Sequence, residues 1–231
     1  MLRRANLGAF KFLGSGVKTL PSITDRPVRL AVLISGGGRT LLNLVDEIRH
    51  SRLNAEIPLV LASPADCAGV RRAEDSGLNY QALERRDYPS VATLSDHVFS
   101  HCRAVEIDLV IMAGFLRLIE IPADFEHRVL NIHPSLIPAF CGRGYYGSRV
   151  HEAAIARGAR VSGCTVHFAD NEYDHGPVVV QRSVDIPDGC TADELAALVF
   201  EQEQIAYPEA IRRVVSGRLQ IDGQRTMLAS Q

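Results

Sequence analysis

Two hydrogen-bonding side chains, Asn131 and His133, stand two positions apart at the end of the apolar run Val129-Leu130-Asn131-Ile132-His133-Pro134-Ser135. In a strand, positions i and i+2 share one face, so the amide and the imidazole would point the same way. Pro134 then stops the ladder. Adjacent donors of this kind suit an oxyanion site. A third candidate is Asp174, in the turn Tyr173-Asp174-His175-Gly176-Pro177. Brought against the histidine from another strand end, its carboxylate would favour a protonated ring able to act as general acid. Each residue also has a plainer explanation: a core histidine with satisfied hydrogen bonds, and a turn-forming aspartate.

A second kind of chemistry is written in Ser35-Gly36-Gly37-Gly38-Arg39-Thr40, which runs into a helical pattern at Leu41. Glycines there let backbone N–H groups face an anion, and a helix N-terminus adds about half a positive charge. Arg39 could add a bidentate contact and Thr40 a hydroxyl. The loop is neither a Walker loop nor a GxGxxG fingerprint, because Leu41 stands where the last glycine would be. A tight turn without a ligand explains it equally well. In Met112-Ala113-Gly114-Phe115-Leu116-Arg117-Leu118-Ile119, Gly114 permits a close turn, and the apolar residues after it could wall a flat ring.

These segments need elements to hold them. Strands are predicted over Val28–Ser35, Glu56–Ala62, Tyr80–Leu83, Asp108–Gly114, Val129–His133, Gly163–Ala169 and Val178–Ile186. Helices are predicted over Leu41–Arg52, Gly69–Gly77, Val91–Val105, His151–Arg157 and Ala192–Val215. The last is opened by a capping box, Thr191 with Glu194 three residues on. The early strands are apolar at every position, which marks a sheet covered on both faces. The expected fold is therefore a single α/β domain, with a Rossmann-like, mostly parallel twisted sheet flanked by helices and an antiparallel strand addition toward the C-terminus. In such a sheet ligands bind at the carboxyl ends of the strands, where all four candidate segments lie.

Composition narrows the class. The chain has 231 residues, 46% hydrophobic and 23% charged, enough for one substantial core. A net charge of −2 gives no reason to expect nucleic acid or membrane as partner. Five scattered cysteines, an odd number with no CxxC pair, fit a reducing cytoplasm better than a disulfide framework. No apolar run reaches a membrane span of about 20 residues. Residues 1–27 are basic, but Lys11 and a Gly-Ser-Gly stretch break any signal-peptide core, so a loose N-terminal extension is expected there. The expected catalytic domain spans 28–218, followed by a tail over 219–231.

The stretch Asn131-Ile132-His133-Pro134-Ser135-Leu136-Ile137-Pro138, followed by Asp174-His175-Gly176-Pro177, resembles the folate-dependent formyltransferases. Ser35-Gly36-Gly37-Gly38, Ala113-Gly114-Phe115-Leu116-Arg117 and Thr165-Val166-His167-Phe168 are similar to the branch whose acceptor is glycinamide ribonucleotide. The likeness runs from about Val28 to about Arg218. It implies formyl transfer from the co-substrate 10-formyltetrahydrofolate to the amine of that ribonucleotide, a step of purine synthesis that requires no metal. It also implies roles. Asn131 would hydrogen-bond the reacting formyl group, His133 would stabilise the oxyanion and protonate the leaving nitrogen, and Asp174 would orient His133 and place a water. The ribonucleotide would rest on Gly37, Gly38, Arg39 and Thr40, with Glu203 on the same substrate. The pterin would lie along Leu116, Arg117, Leu118 and Ile119, near Asn131.

The sequence departs from relatives at Gly38-Arg39-Thr40, where Gly-Ser-Asn is common. The loop Ala139–Ser148 is longer than in many members, and no arginine for the folate tail stands around Tyr88–Thr93. A methionyl-tRNA formyltransferase would be expected to carry a second domain after Gly217, and a formyltetrahydrofolate deformylase a regulatory domain before Val28. An amino-sugar nucleotide remains an alternative acceptor. Outside catalysis, a phosphate-binding α/β module is a further alternative, but it would have no need of an acid with a carboxylate partner. Small-molecule substrates and a monomer or homodimer complete the expectations.

Overall fold

Strands that are apolar at every position must be covered on both sides, and this governs the architecture. The computed structural model describes residues 16–229. Its elements in chain order are β1 (Lys18–Thr19), β2 (Val28–Ile34), α1 (Arg39–Arg49), β3 (Ala55–Ala62), α2 (Ala68–Asp75), β4 (Tyr80–Ala82), α3 (Val91–Ala104), β5 (Leu109–Met112), β6 (Val129–His133), α4 (Ser148–Arg157), β7 (Val161–Phe168), β8 (Val178–Asp185), α5 (Ala192–Val215), β9 (Leu219–Asp222) and β10 (Arg225–Leu228). Seven strands form one sheet in the order β4-β3-β2-β5-β6-β7-β8. The first five are parallel, and β7 and β8 are added antiparallel. The chain winds outward from β2 to β4, then returns to build from β5 to β8, so the strand order reverses between β2 and β5. That switch point is where such sheets hold ligands.

Alternate residues feed two cores. Leu30, Val32 and Ile34 pack with α1 and α5, while Ala31 and Leu33 face α3 through Leu94, Val98 and Phe99. Helix α5 begins at its capping box as predicted. It carries Pro208 internally, which leaves the carbonyl four residues back without a helical donor. Asn43 of α1 supplies one, donating from Nδ2 to Gln204 O at 2.9 Å. The hydroxyl of the fully buried Tyr207 lies 2.8 Å from Leu130 O and 3.0 Å from Met112 O, so α5 is pinned at the ends of β5 and β6.

Two expectations need correction. Helix α1 starts at Arg39, not Leu41; Gly38 serves as its N-cap without a side-chain bond, so the sequence carries no start signal. The segments read as loose extension and tail are joined from Lys18 onward. Lys18 pairs with Ile221, β9 pairs with β10, and Leu20 is buried in the core beside Leu219 and Ile221. Residues 1–15 of the expected extension lie outside the described residues.

Candidate active site

The floor of the site is the end of β6. Asn131 and His133 share its face, and the antiparallel register sets His167 of β7 opposite Asn131 and Thr165 opposite His133. The Thr165 hydroxyl donates to Ser135 O at 2.7 Å and accepts from Ile137 N at 3.0 Å, which fixes the chain as it leaves the strand. His133 is 4% exposed. Its Nε2 donates to Phe140 O at 2.8 Å, and its Nδ1 stands 3.4 Å from Asp174 Oδ2. The sequence-predicted pair is thus brought together.

Asp174 arrives on a turn forced close to β7. A Cβ on Gly176 would lie 2.1 Å from Phe168 O, so only glycine fits there. Asp174 itself takes φ 54°, a left-handed conformation that strains a side-chain-bearing residue. Its Oδ2 accepts from Gly142 N at 2.9 Å, and its Oδ1 lies 3.5 Å from Asn131 Nδ2 and 3.8 Å from His167 Nε2. The long loop after Pro138 therefore grips both members of the pair, His133 through Phe140 and Asp174 through Gly142. His151 of α4 is buried; that burial, reinforced by nearby His133, holds its ring below the usual histidine range.

A cavity of about 760 Å³ opens above these groups. One wall is Leu116, Arg117, Leu118 and Ile119. Leu116 N donates to Ser35 Oγ at 3.0 Å, tying this wall to the glycine loop. Tyr145, Tyr146 and Tyr173 stand at the rim, each about half exposed. Glu203 lines the cavity from α5, and burial pushes its carboxyl up to about 7 despite the opposing charge of Arg39.

The glycine loop is placed less simply than its sequence suggests. Gly36 and Thr40 line the cavity, whereas Gly37, Gly38 and Arg39 do not. Gly38 takes φ 69°, and a Cβ there would meet Gly69 of α2 at 2.8 Å. The Gly37 carbonyl is taken by Arg72. Because α1 begins early, Arg39 is its first residue, and its guanidinium stacks 3.5 Å above the ring of Phe200. The residue that sequence reasoning passed over is His167, quoted in a motif but given no role. Only the β6–β7 register reveals it.

Among the described residues no helix is long and apolar enough to cross a membrane, and no group of three or more His, Cys, Asp or Glu could hold a metal ion. The formyl transferase family profile matches residues 28–211. A chloroplastic phosphoribosylglycinamide formyltransferase of Vigna unguiculata is 38% identical over 200 residues, covering 85% of this chain. The trifunctional purine biosynthetic protein adenosine-3 of Gallus gallus is 35% identical, covering 86% of this chain. The chain spans 64% and 20% of the length of these two curated relatives, respectively. The crystal structure of glycinamide ribonucleotide transformylase 1 from Symbiobacterium toebii superposes with a TM-score of 0.82 at 35% identity, covering 88% of this chain and 95% of that one. A match over most of the sheet, with the paired histidine and aspartate at its centre, leads to one conclusion: this chain belongs to the formyl transferase family.

Proposed function

We propose that this chain transfers the formyl group of 10-formyltetrahydrofolate to the amine of glycinamide ribonucleotide, in purine biosynthesis. The observation that carries the reading is His133 Nδ1 at 3.4 Å from Asp174 Oδ2, beside Asn131 on the floor of a deep cavity. In this reading the amine nitrogen attacks the formyl carbon, and the carbonyl electron pair moves onto oxygen. The tetrahedral intermediate then expels the folate nitrogen, which takes up a proton as the former amine loses one.

Both ring nitrogens of His133 face oxygen acceptors, Phe140 O and Asp174 Oδ2, so an imidazolium satisfies each of them. A neutral ring would leave a lone pair aimed at oxygen. The charged ring stabilises the developing oxyanion, at the scale of about 10²–10³ in kcat that such groups contribute, and to protonate the leaving nitrogen it gives up one of these two hydrogen bonds and becomes neutral. Asp174 orients the ring and holds a water that relays the amine's proton. The pterin lies along Leu116–Ile119. The phosphate rests at the start of α1, where helix geometry leaves N–H groups without helical partners, and Glu203 meets the same substrate.

Purified protein is to be mixed with 10-formyltetrahydrofolate and either glycinamide ribonucleotide or an amino-sugar nucleotide. Formylation of the ribonucleotide alone is expected. Transfer only to the sugar amine, or release of free formate without transfer, would overturn the proposal.

A further inference from the structure

We propose that His167 is a positioning residue that turns the Asn131 amide so that its carbonyl oxygen, not its NH₂, faces the cavity and accepts a hydrogen bond from the attacking amine. This rests on the formyl-transfer reading above and deepens it.

The argument follows one proton at a time. His167 Nδ1 lies 2.9 Å from Phe168 O, and a carbonyl can only accept, so Nδ1 carries a proton. The ring is 1% exposed, and burial holds it below the usual histidine range, against the opposing influence of Phe168 O, Asp174 and Asp170. The uncharged ring is therefore favoured, and with the proton on Nδ1 its Nε2 bears a lone pair. That lone pair faces the Asn131 side chain at 3.1 Å. On the other side of the same amide, Asp174 Oδ1 lies 3.5 Å away, and a carboxylate too can only accept. An amide placed between two acceptors must present its nitrogen to both. Its oxygen, which accepts from none of the described residues, then opens onto the cavity that Asn131 lines.

The consequence concerns the division of labour. The resemblance suggests Asn131 as a donor to the formyl oxygen. With both amide hydrogens held by His167 and Asp174, Asn131 has no N–H left for the formyl oxygen, and the charge developing there is opposed by the positive charge of the His133 ring. The amide oxygen instead receives an N–H of the incoming amine and aims its lone pair at the formyl carbon. His167 achieves this through the cross-strand pairing of residues 131 and 167.

The test joins kinetics to a spectrum. His167→Phe removes the acceptor while keeping a flat ring, and His167→Gln restores one through its side-chain oxygen. Misorientation of a reacting group costs up to about 10²-fold, so kcat should fall about 10- to 100-fold in His167→Phe. It should largely recover in His167→Gln, with both KM values near wild type. In an Asn131→Ala background, His167→Phe should change kcat by less than about twofold, since nothing is left to orient. An equal loss in both backgrounds, or no recovery with glutamine, would overturn the proposal. Ring ¹⁵N spectra of the free wild-type protein provide an arm that needs no acceptor. A protonated Nδ1 and bare Nε2 on His167 are expected, and a protonated Nε2 at neutral pH would overturn the assignment. Failure of the wild-type protein to formylate glycinamide ribonucleotide would count against the proposed function, and the ring spectrum would still decide the amide orientation.

Discussion

Glu203 stands where a carboxylate is hard to keep charged: on the cavity wall, crowded by α5 and held near Arg39, with burial raising its carboxyl to about 7. Burial is the larger influence, so folding favours the protonated form. The folded protein therefore binds a proton more tightly here than the unfolded chain, whose glutamate titrates near 4.5. Stability attributable to this group is full below the unfolded value and declines as pH rises toward 7. Glutamine mimics the protonated acid at every pH. Glu203→Gln should thus stabilise the protein by under ~1 kcal/mol at pH 5 and by about 2–3 kcal/mol at pH 8. Urea unfolding midpoints of both proteins at the two pH values check this; a gain independent of pH would mean the carboxyl is not shifted. Nothing in Glu201-Gln202-Glu203-Gln204 distinguishes the half-buried Glu203 from the exposed Glu201 and Gln204. Its proposed contact with the ribonucleotide rests on family likeness, and its desolvation shows only in the packing of α5.

At the scale of elements, the turn carrying Asp174 is the most exacting piece. It must cross the end of β7 with Gly176 against Phe168 O, and it leaves Asp174 in a left-handed conformation. Gly176→Ala places a methyl group where a carbonyl oxygen stands, so the turn must shift. Overpacking of this kind costs about 1–3 kcal/mol. The displacement should also lower kcat, because Asp174 is two residues away. Unchanged unfolding and unchanged kcat in this variant would show that the turn tolerates more than its geometry implies. The strands and α5 were legible because continuous apolar runs and a capping box are local signals. The start of α1 was not, since Gly38 caps it by backbone shape alone. Strands β1, β9 and β10 are short and weakly apolar, held by pairing between distant parts of the chain, and local pattern cannot reveal that.

Across the whole molecule, one sheet gathers the site from positions far apart in sequence. The reversal of strand order between β2 and β5 sets the glycine loop beside the Leu116–Ile119 wall, and the antiparallel return of β7 brings His167 and then Asp174 to the end of β6. Asn131, His133 and Asp174 could be foreseen as neighbours because the first two stand in the last three residues of β6, the third lies on the turn after β7, and the fold class puts those ends together. The proposed role of His167 depended on a register that sequence does not print. Arg39, read from the sequence as a phosphate contact, is the first residue of α1 and stacks on Phe200. The account stands or falls on His133. The direct measurement is steady-state formyl transfer from 10-formyltetrahydrofolate to glycinamide ribonucleotide by wild-type protein and His133→Ala. A fall in kcat of about 10²–10³ or more with both KM values little changed is the predicted result. A variant within about threefold of wild type, far inside that scale, would contradict the assignment of the acid and the site with it.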